Sequence, residues 1–206
     1  MDALENIMTR RSVRRFLDKP VSDRDLETIL RAGMAGPSCV NARDWHFIVV
    51  RDREVLARMA AANGRPADPL KRAAVGILIC GDLERAFKPA PDYWIIDGAI
   101  AGQNMCLAAY SLGIGSVWLG TYPQMERVKG QIDLFGLPDT AVPHSILAFG
   151  WPDESKEEPP GGPGEGPGVP GEGPGGPAKA PGRPEGPPPQ MKKGEYEESR
   201  LHWDKW

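Results

Sequence analysis

Histidine and cysteine are scarce in this 206-residue chain, and neither is clustered. Cys39, Cys80 and Cys106 stand far apart, as do His46, His144 and His202, with no CxxC and no HExxH. No zinc site is expected from such spacing, and an odd set of scattered cysteines fits a reducing compartment. No apolar run reaches the ~18 residues that a membrane span needs. The opening MDALENIMTRRS also lacks the apolar stretch of a secretory leader, so a cytoplasmic protein without a membrane partner is expected. Neither charge is in large excess: 25 Lys and Arg face 28 Asp and Glu, a net −3. Bulk nucleic-acid binding needs a net positive face and is not expected. Two phosphate-binding signatures are missing too. There is no GxxxxGK[ST], and the glycine-rich GIGSVWLG at 113–120 precedes a strand instead of opening a helix, the wrong order for a dinucleotide fingerprint.

Glycine and proline are plentiful, but in one place. Between Glu157 and Pro189 they make up 23 of 33 residues, and five Glu against Lys179 and Arg183 give that stretch the whole net −3. Glycine does not recur at every third position, which excludes collagen. A stretch of this composition cannot bury a core and reads as a disordered or polyproline-like excursion. The chain thus divides into a core at 1–156, the excursion at 157–189 and a C-terminal segment at 190–206. That last segment ends in Trp203 and Trp206 and is expected to dock on a surface.

Within the core, apolar periodicity marks helices over 2–10, from Ser22 to Gly33 or Gly36, and over 53–62, 93–112 and 125–135. Asp2 and the Ser22/Asp25 pair are candidate caps. The longest helix is apolar or small on nearly every side, the pattern of a helix buried in a core or an interface. Short apolar runs mark strands at 46–50, 75–80, 116–119 and 145–149. Helices and strands interleave, so the fold reads as α/β or α+β around a central sheet.

Three clusters carry candidate chemistry. Arg10, Arg11, Arg14 and Arg15 surround Ser12, and guanidinium forks with a hydroxyl suit a phosphate monoester. A solvated basic face paired with carboxylates is the plainer alternative. Residues 36–45, GPSCVNARDW, form a loop before a strand, with Ser38 and Asn41 as mixed donors and acceptors; Pro, Ser and Asn are also ordinary turn formers. Gly120, at a strand end, lets a ligand approach the backbone closely.

Together, RRSVRRF at 10–16, PSCVNARDWHFIVV at 37–50, DGAIAGQNMCLAAYSLGIGSVWLG at 97–120 and YEESRLHWDKW at 196–206 resemble the FMN-dependent nitroreductase family. The resemblance covers about 170 residues in the family's order. It implies an α+β fold with a central mixed sheet flanked by helices, in an intertwined homodimer with FMN at the interface. Arg10, Ser12 and Arg14, with Arg11 beside them, would hold the ribityl phosphate. Pro37, Ser38, Cys39 and Asn41 would come from the other subunit to border the isoalloxazine ring, and Leu119 and Gly120 would lie against its reactive face. Lys192 or Lys193 would return to the phosphate, and the tryptophan segment would wrap over the partner. No metal is implied.

The implied activity is hydride transfer from NAD(P)H through the flavin to small acceptors, nitroaromatics or quinones, by a ping-pong scheme with no dedicated acid or base. Alternatives are related flavin chemistry (dehalogenation, flavin fragmentation) and a non-catalytic binding role. The chain departs from the family pattern in three places. Arg43-Asp44 stand where Gln-Pro is usual, no Ala-Pro precedes the second strand, and the stretch from Gly81 to Tyr93 is short.

Overall fold

The structure is a computed structural model that describes residues 1–155 and 196–206. The expected excursion at 157–189, with Lys192 and Lys193, lies outside the described residues.

Helix α1 (Ala3–Thr9) starts where the Asp2 carboxylate accepts the Glu5 N–H at 2.9 Å. Helix α2 (Asp23–Met34) starts at Ser22, whose Oγ accepts the Asp25 N–H at 3.1 Å and donates to the Asp25 carboxylate at 2.7 Å. Asp52 caps α3 (Arg53–Asn63) in the same way. Helices α4 (Tyr93–Ser111) and α5 (Met125–Phe135) are followed by Gly113 at φ 77 and Gly136 at φ 64, left-handed positions that suit glycine just past a helix end. No described helix is long and apolar enough to cross a membrane.

Five strands form one mixed sheet: β1 (Trp45–Val50), β2 (Val75–Asp82), β3 (Gly115–Gly120), β4 (Ala141–Gly150) and β5 (Leu201–Trp203), in the order β3-β4-β2-β1-β5. All neighbours run antiparallel except β5, which is parallel to β1. Phe47, Val49, Ile77, Ile79, Leu147 and Phe149 face a core shared with α2 and α4. Ile48, Val50, Leu78, Cys80, Ile146 and Ala148 face a second core shared with α3 and α5. Burial on both faces is why these strands read as unbroken apolar runs. The architecture is the expected α+β fold, a mixed sheet between helices.

Three elements exceed the sequence reading. Strand β4 begins at Ala141, and its register against β2 shifts between Ile79 and Cys80, next to Pro143. A 3₁₀ stretch spans Arg65–Arg72. Among the described residues of the C-terminal segment, three form a strand: Phe47 pairs with Leu201 and Val49 with Trp203. The resemblance implied a partner subunit as its seat; in this single chain it covers the open edge of its own β1, whose backbone groups need partners. Within the single chain the long helix leaves Tyr93 and Ile96 exposed, so the core covers only part of its apolar surface.

At the other edge, residues 10–17 run beside β3 and the end of β4. The Val13 N–H donates to the Ser116 carbonyl at 2.8 Å, and the Leu17 N–H to the Trp151 carbonyl at 2.9 Å. Two glycines permit this approach: a Cβ at Gly115 would stand 2.7 Å from Val13 Cβ, and one at Gly150 would stand 2.8 Å from the Phe16 ring. Gly115→Ala is therefore expected to push the arginine-bearing segment off β3, at a cost of ~1–3 kcal/mol from overpacking. Urea unfolding of the variant against the parent checks this.

Candidate functional site

The bonds that seat residues 12 and 13 on β3 fix the basic segment. Ser12 lies opposite Ser116 in a parallel bridge, so Arg10, Arg11, Ser12 and Arg14 are carried along the edge strand together. Burial pushes the Cys106 thiol up, with Ser116 and then Arg10 opposing the shift. Three and four residues further along β3, ~10 and ~13 Å at strand rise, are Leu119, buried, and Gly120, exposed, the latter with nothing within 4 Å of where a Cβ would stand. The Gly120 carbonyl is fixed by the Asn63 amide at 3.1 Å and by Arg127 at 2.8 Å. A strand end is thus held rigid while its outer face stays open.

The loop from Pro37 to Asp44 lies at the same end of the sheet, because Trp45 pairs with Gly81 on β2 and Gly120 with Ser145 on β4. Two strands separate β1 from β3, so the loop and Gly120 belong to strands ~14 Å apart. The structure joins the arginine cluster and the Leu119–Gly120 pair along one strand. It does not join Pro37, Ser38, Cys39 and Asn41 to them within the chain.

The loop is strained. Val40, Asn41 and Arg43 have φ of 46, 57 and 50°, and left-handed backbone costs a non-glycine residue about 1–2 kcal/mol. Ser38 Oγ accepts the Arg43 N–H at 2.9 Å, and the Asp97 carboxylate on α4 accepts the Cys39 N–H at 2.9 and 3.1 Å. Ser38 and Cys39 therefore do the turn work that was the plainer sequence alternative, while Pro37 and Asn41 stay exposed. Burial, then the Asp97 and Asp44 carboxylates, push the Cys39 thiol up, so it is not poised as a thiolate nucleophile.

Sequence reasoning missed two groups here. The first is Asp44, only 1% exposed, with neither carboxylate oxygen hydrogen-bonded among the described residues. Burial first, and the nearby Asp97 charge second, push its carboxyl up to about 6. The only sequence signal was the Arg43-Asp44 departure. The second is a polar network under the C-terminal segment. Arg200, 5% exposed, donates to Asp82 at 3.2 Å and lies 3.0 Å from His46 Nε2, while His46 Nδ1 lies 3.1 Å from His202 Nε2. Trp206 stacks on His202 at 4.2 Å. Burial, with Arg200 adding to it, lowers both imidazoles and favours their neutral forms, against the opposing pull of the Asp82 hydrogen bond on His46.

The Asp44 shift has a definite sign. Folding favours the neutral acid, so its contribution is full below the ordinary value of 3.8 and is lost as pH rises through about 6. Asp44→Asn removes that loss. The variant is expected to gain up to ~3 kcal/mol at pH 8 and next to nothing at pH 3, read from melting curves at the two pH values.

Comparison with known proteins bears on what this arrangement is for. The nitroreductase family model matches residues 7–77 and 62–151. A protein of Methanothermobacter thermautotrophicus, provisionally named NADH dehydrogenase/NAD(P)H nitroreductase, is 44% identical over 155 residues, covering 75% of this chain and 80% of its own. The FMN reductase (NAD(P)H) of Bacillus subtilis is 29% identical over 180 residues, covering 77% and 69%. The solved FMN-dependent nitroreductase of Clostridium difficile superposes with a TM-score of 0.69 at 31% identity, covering 75% of this chain and 90% of that one. On the strength of the family match across the core and of these relatives, the chain belongs to the nitroreductase family.

Proposed function

We propose that the protein is an FMN-dependent oxidoreductase that takes a hydride from NAD(P)H and passes the electrons to small acceptors such as nitroaromatics or quinones. The observation that carries this reading is the arginine cluster seated on β3, with the open face of Gly120 further along the same strand. The donor set fits the group. Three guanidiniums and the Ser12 hydroxyl match a phosphate, and a bare strand end admits a flat ring. Relatives named as an FMN reductase and an FMN-dependent nitroreductase support the same cofactor.

In this reading Arg10, Arg11, Ser12 and Arg14 bind the phosphate, assisted by Lys192 or Lys193. Leu119 and Gly120 bound the ring on one side. Pro37, Ser38, Cys39 and Asn41 border its edge from a second copy of the chain, which accounts for their distance from β3. Exposed apolar side chains support that homodimer: Leu4, Ile7 and Met8 on α1, Tyr93 and Ile96 on α4, and Trp118. When bound, FMN supplies the centre that accepts and returns the hydride. The protein contributes positioning and exclusion of water. Donor and acceptor would take turns in one pocket, a ping-pong order.

The test is a visible spectrum of the purified protein with FMN, before and after anaerobic NAD(P)H and then a quinone or nitroaromatic. Bleaching followed by recovery is expected; no bound flavin overturns the reading. Replacing Arg10 and Arg14 together with Ala should remove ~3–6 kcal/mol of charge-assisted bonding, a loss in FMN affinity of roughly 10²-fold or more. Equilibrium titration of flavin fluorescence measures it, and unchanged affinity would sink the phosphate assignment.

A further inference from the structure

Val40 and Arg43 do not hold their left-handed shape by local preference, so contacts must hold it. Asp97 holds the start of the loop from outside, and Ser38 closes it from within by accepting the Arg43 N–H. The second half is gripped by arginines. Arg85 Nε donates to the Ala42 carbonyl at 3.3 Å, and Arg43 Nε donates to Asn41 Oδ1 at 3.2 Å. Arg43 Nη1 also reaches the Glu197 carboxylate at 3.4 Å. Glu197 belongs to the C-terminal segment. Its other oxygen accepts from Arg200 Nε at 3.1 Å, and Arg200 in turn donates to Asp82, whose own N–H donates to the Asp44 carbonyl at 2.8 Å. Burial opposes the Glu197 charge, yet Arg200, Arg85 and Arg43 together hold its carboxyl below the ordinary range. One carboxylate thus bridges two guanidiniums, Arg43 in the loop and Arg200 in the C-terminal segment.

We propose that the C-terminal segment braces the loop at 38–44, with Glu197 as the positioning residue acting through Arg43. Without its charge the bridge from Arg43 to the Arg200–Asp82 pair is lost, and the strained loop relaxes. The consequence for the cofactor rests on the proposed function, which assigns this loop to the flavin edge; the brace itself does not.

The experiment uses the full-length protein and two variants, Glu197→Gln and Arg43→Gln, with their double variant. Hydrogen exchange of the amides at 39–44 is expected to quicken about tenfold in each single variant, with the sheet amides unchanged. The double variant should be no worse than either single one, because the two groups act through each other. Arg43→Lys, which keeps a cation facing Glu197, should restore most of the protection. With FMN added, Glu197→Gln should weaken binding about fivefold and shift the midpoint potential of the bound flavin. Unchanged loop exchange overturns the brace, as do additive effects or a loosening spread over the whole sheet. If the loop alone quickens while flavin affinity and potential stay fixed, the brace stands and the assignment of the loop to the ring edge falls.

Discussion

A sheet buried on both faces has only its two edges left to finish, and the way those edges are closed organises this molecule. Backbone N–H and C=O groups at an edge demand partners. On one side β3 receives residues 12 and 13, and on the other β1 receives β5. Both closing segments are rich in charge, so satisfying the sheet's backbone delivers guanidiniums and carboxylates to fixed places. The arginine cluster and the Glu197–Arg200 pair are where they are because the sheet needed its margins covered.

Electrostatics then differ sharply between the two margins. Along β3 the segment at 10–15 carries four arginines and the face beside Gly120 is open, which suits a small anionic ligand. Beside β1 the charges are mutually compensated: Asp82, Glu197, Arg43 and Arg200 join in one network, and burial favours the neutral forms of His46 and His202 inside it. Asp44 and Asp97 interrupt that balance with two buried carboxyls in proximity. A buried carboxyl is costly to ionise. Here it lies at the junction between a strained loop and the first strand, where geometry outranks stability.

The fold was largely legible because its signals are local. Ser22, Gly113 and Gly136 mark helix ends within a few residues of themselves, and the apolar runs of β1 and β2 follow from burial on both faces. Strand β5 was not legible as a strand: three residues carry no period, and its existence depends on an edge supplied from far upstream. The start of β4 was hidden by Pro143, which is tolerated beside a register shift. Of the site, the arginines around Ser12 could be read because they are contiguous. Asp44 could be seen only as a departure from the family's pattern. The upward push on its carboxyl depends in part on Asp97, and the Glu197 network depends on three separate parts of the chain, so no spacing rule reaches either.

The pairing of β1 with β5 also bears on biosynthesis. His46 and His202, neighbours in space, are 156 positions apart. A ribosome releases the N-terminal portion first, at ~5–20 residues per second. The run WHFIVV therefore waits on the order of ten seconds before the strand that covers it has been synthesised. An apolar strand with a bare edge is a template for intermolecular pairing. The nascent chain is thus most exposed to misassembly, and most in need of a chaperone, until its final residues emerge.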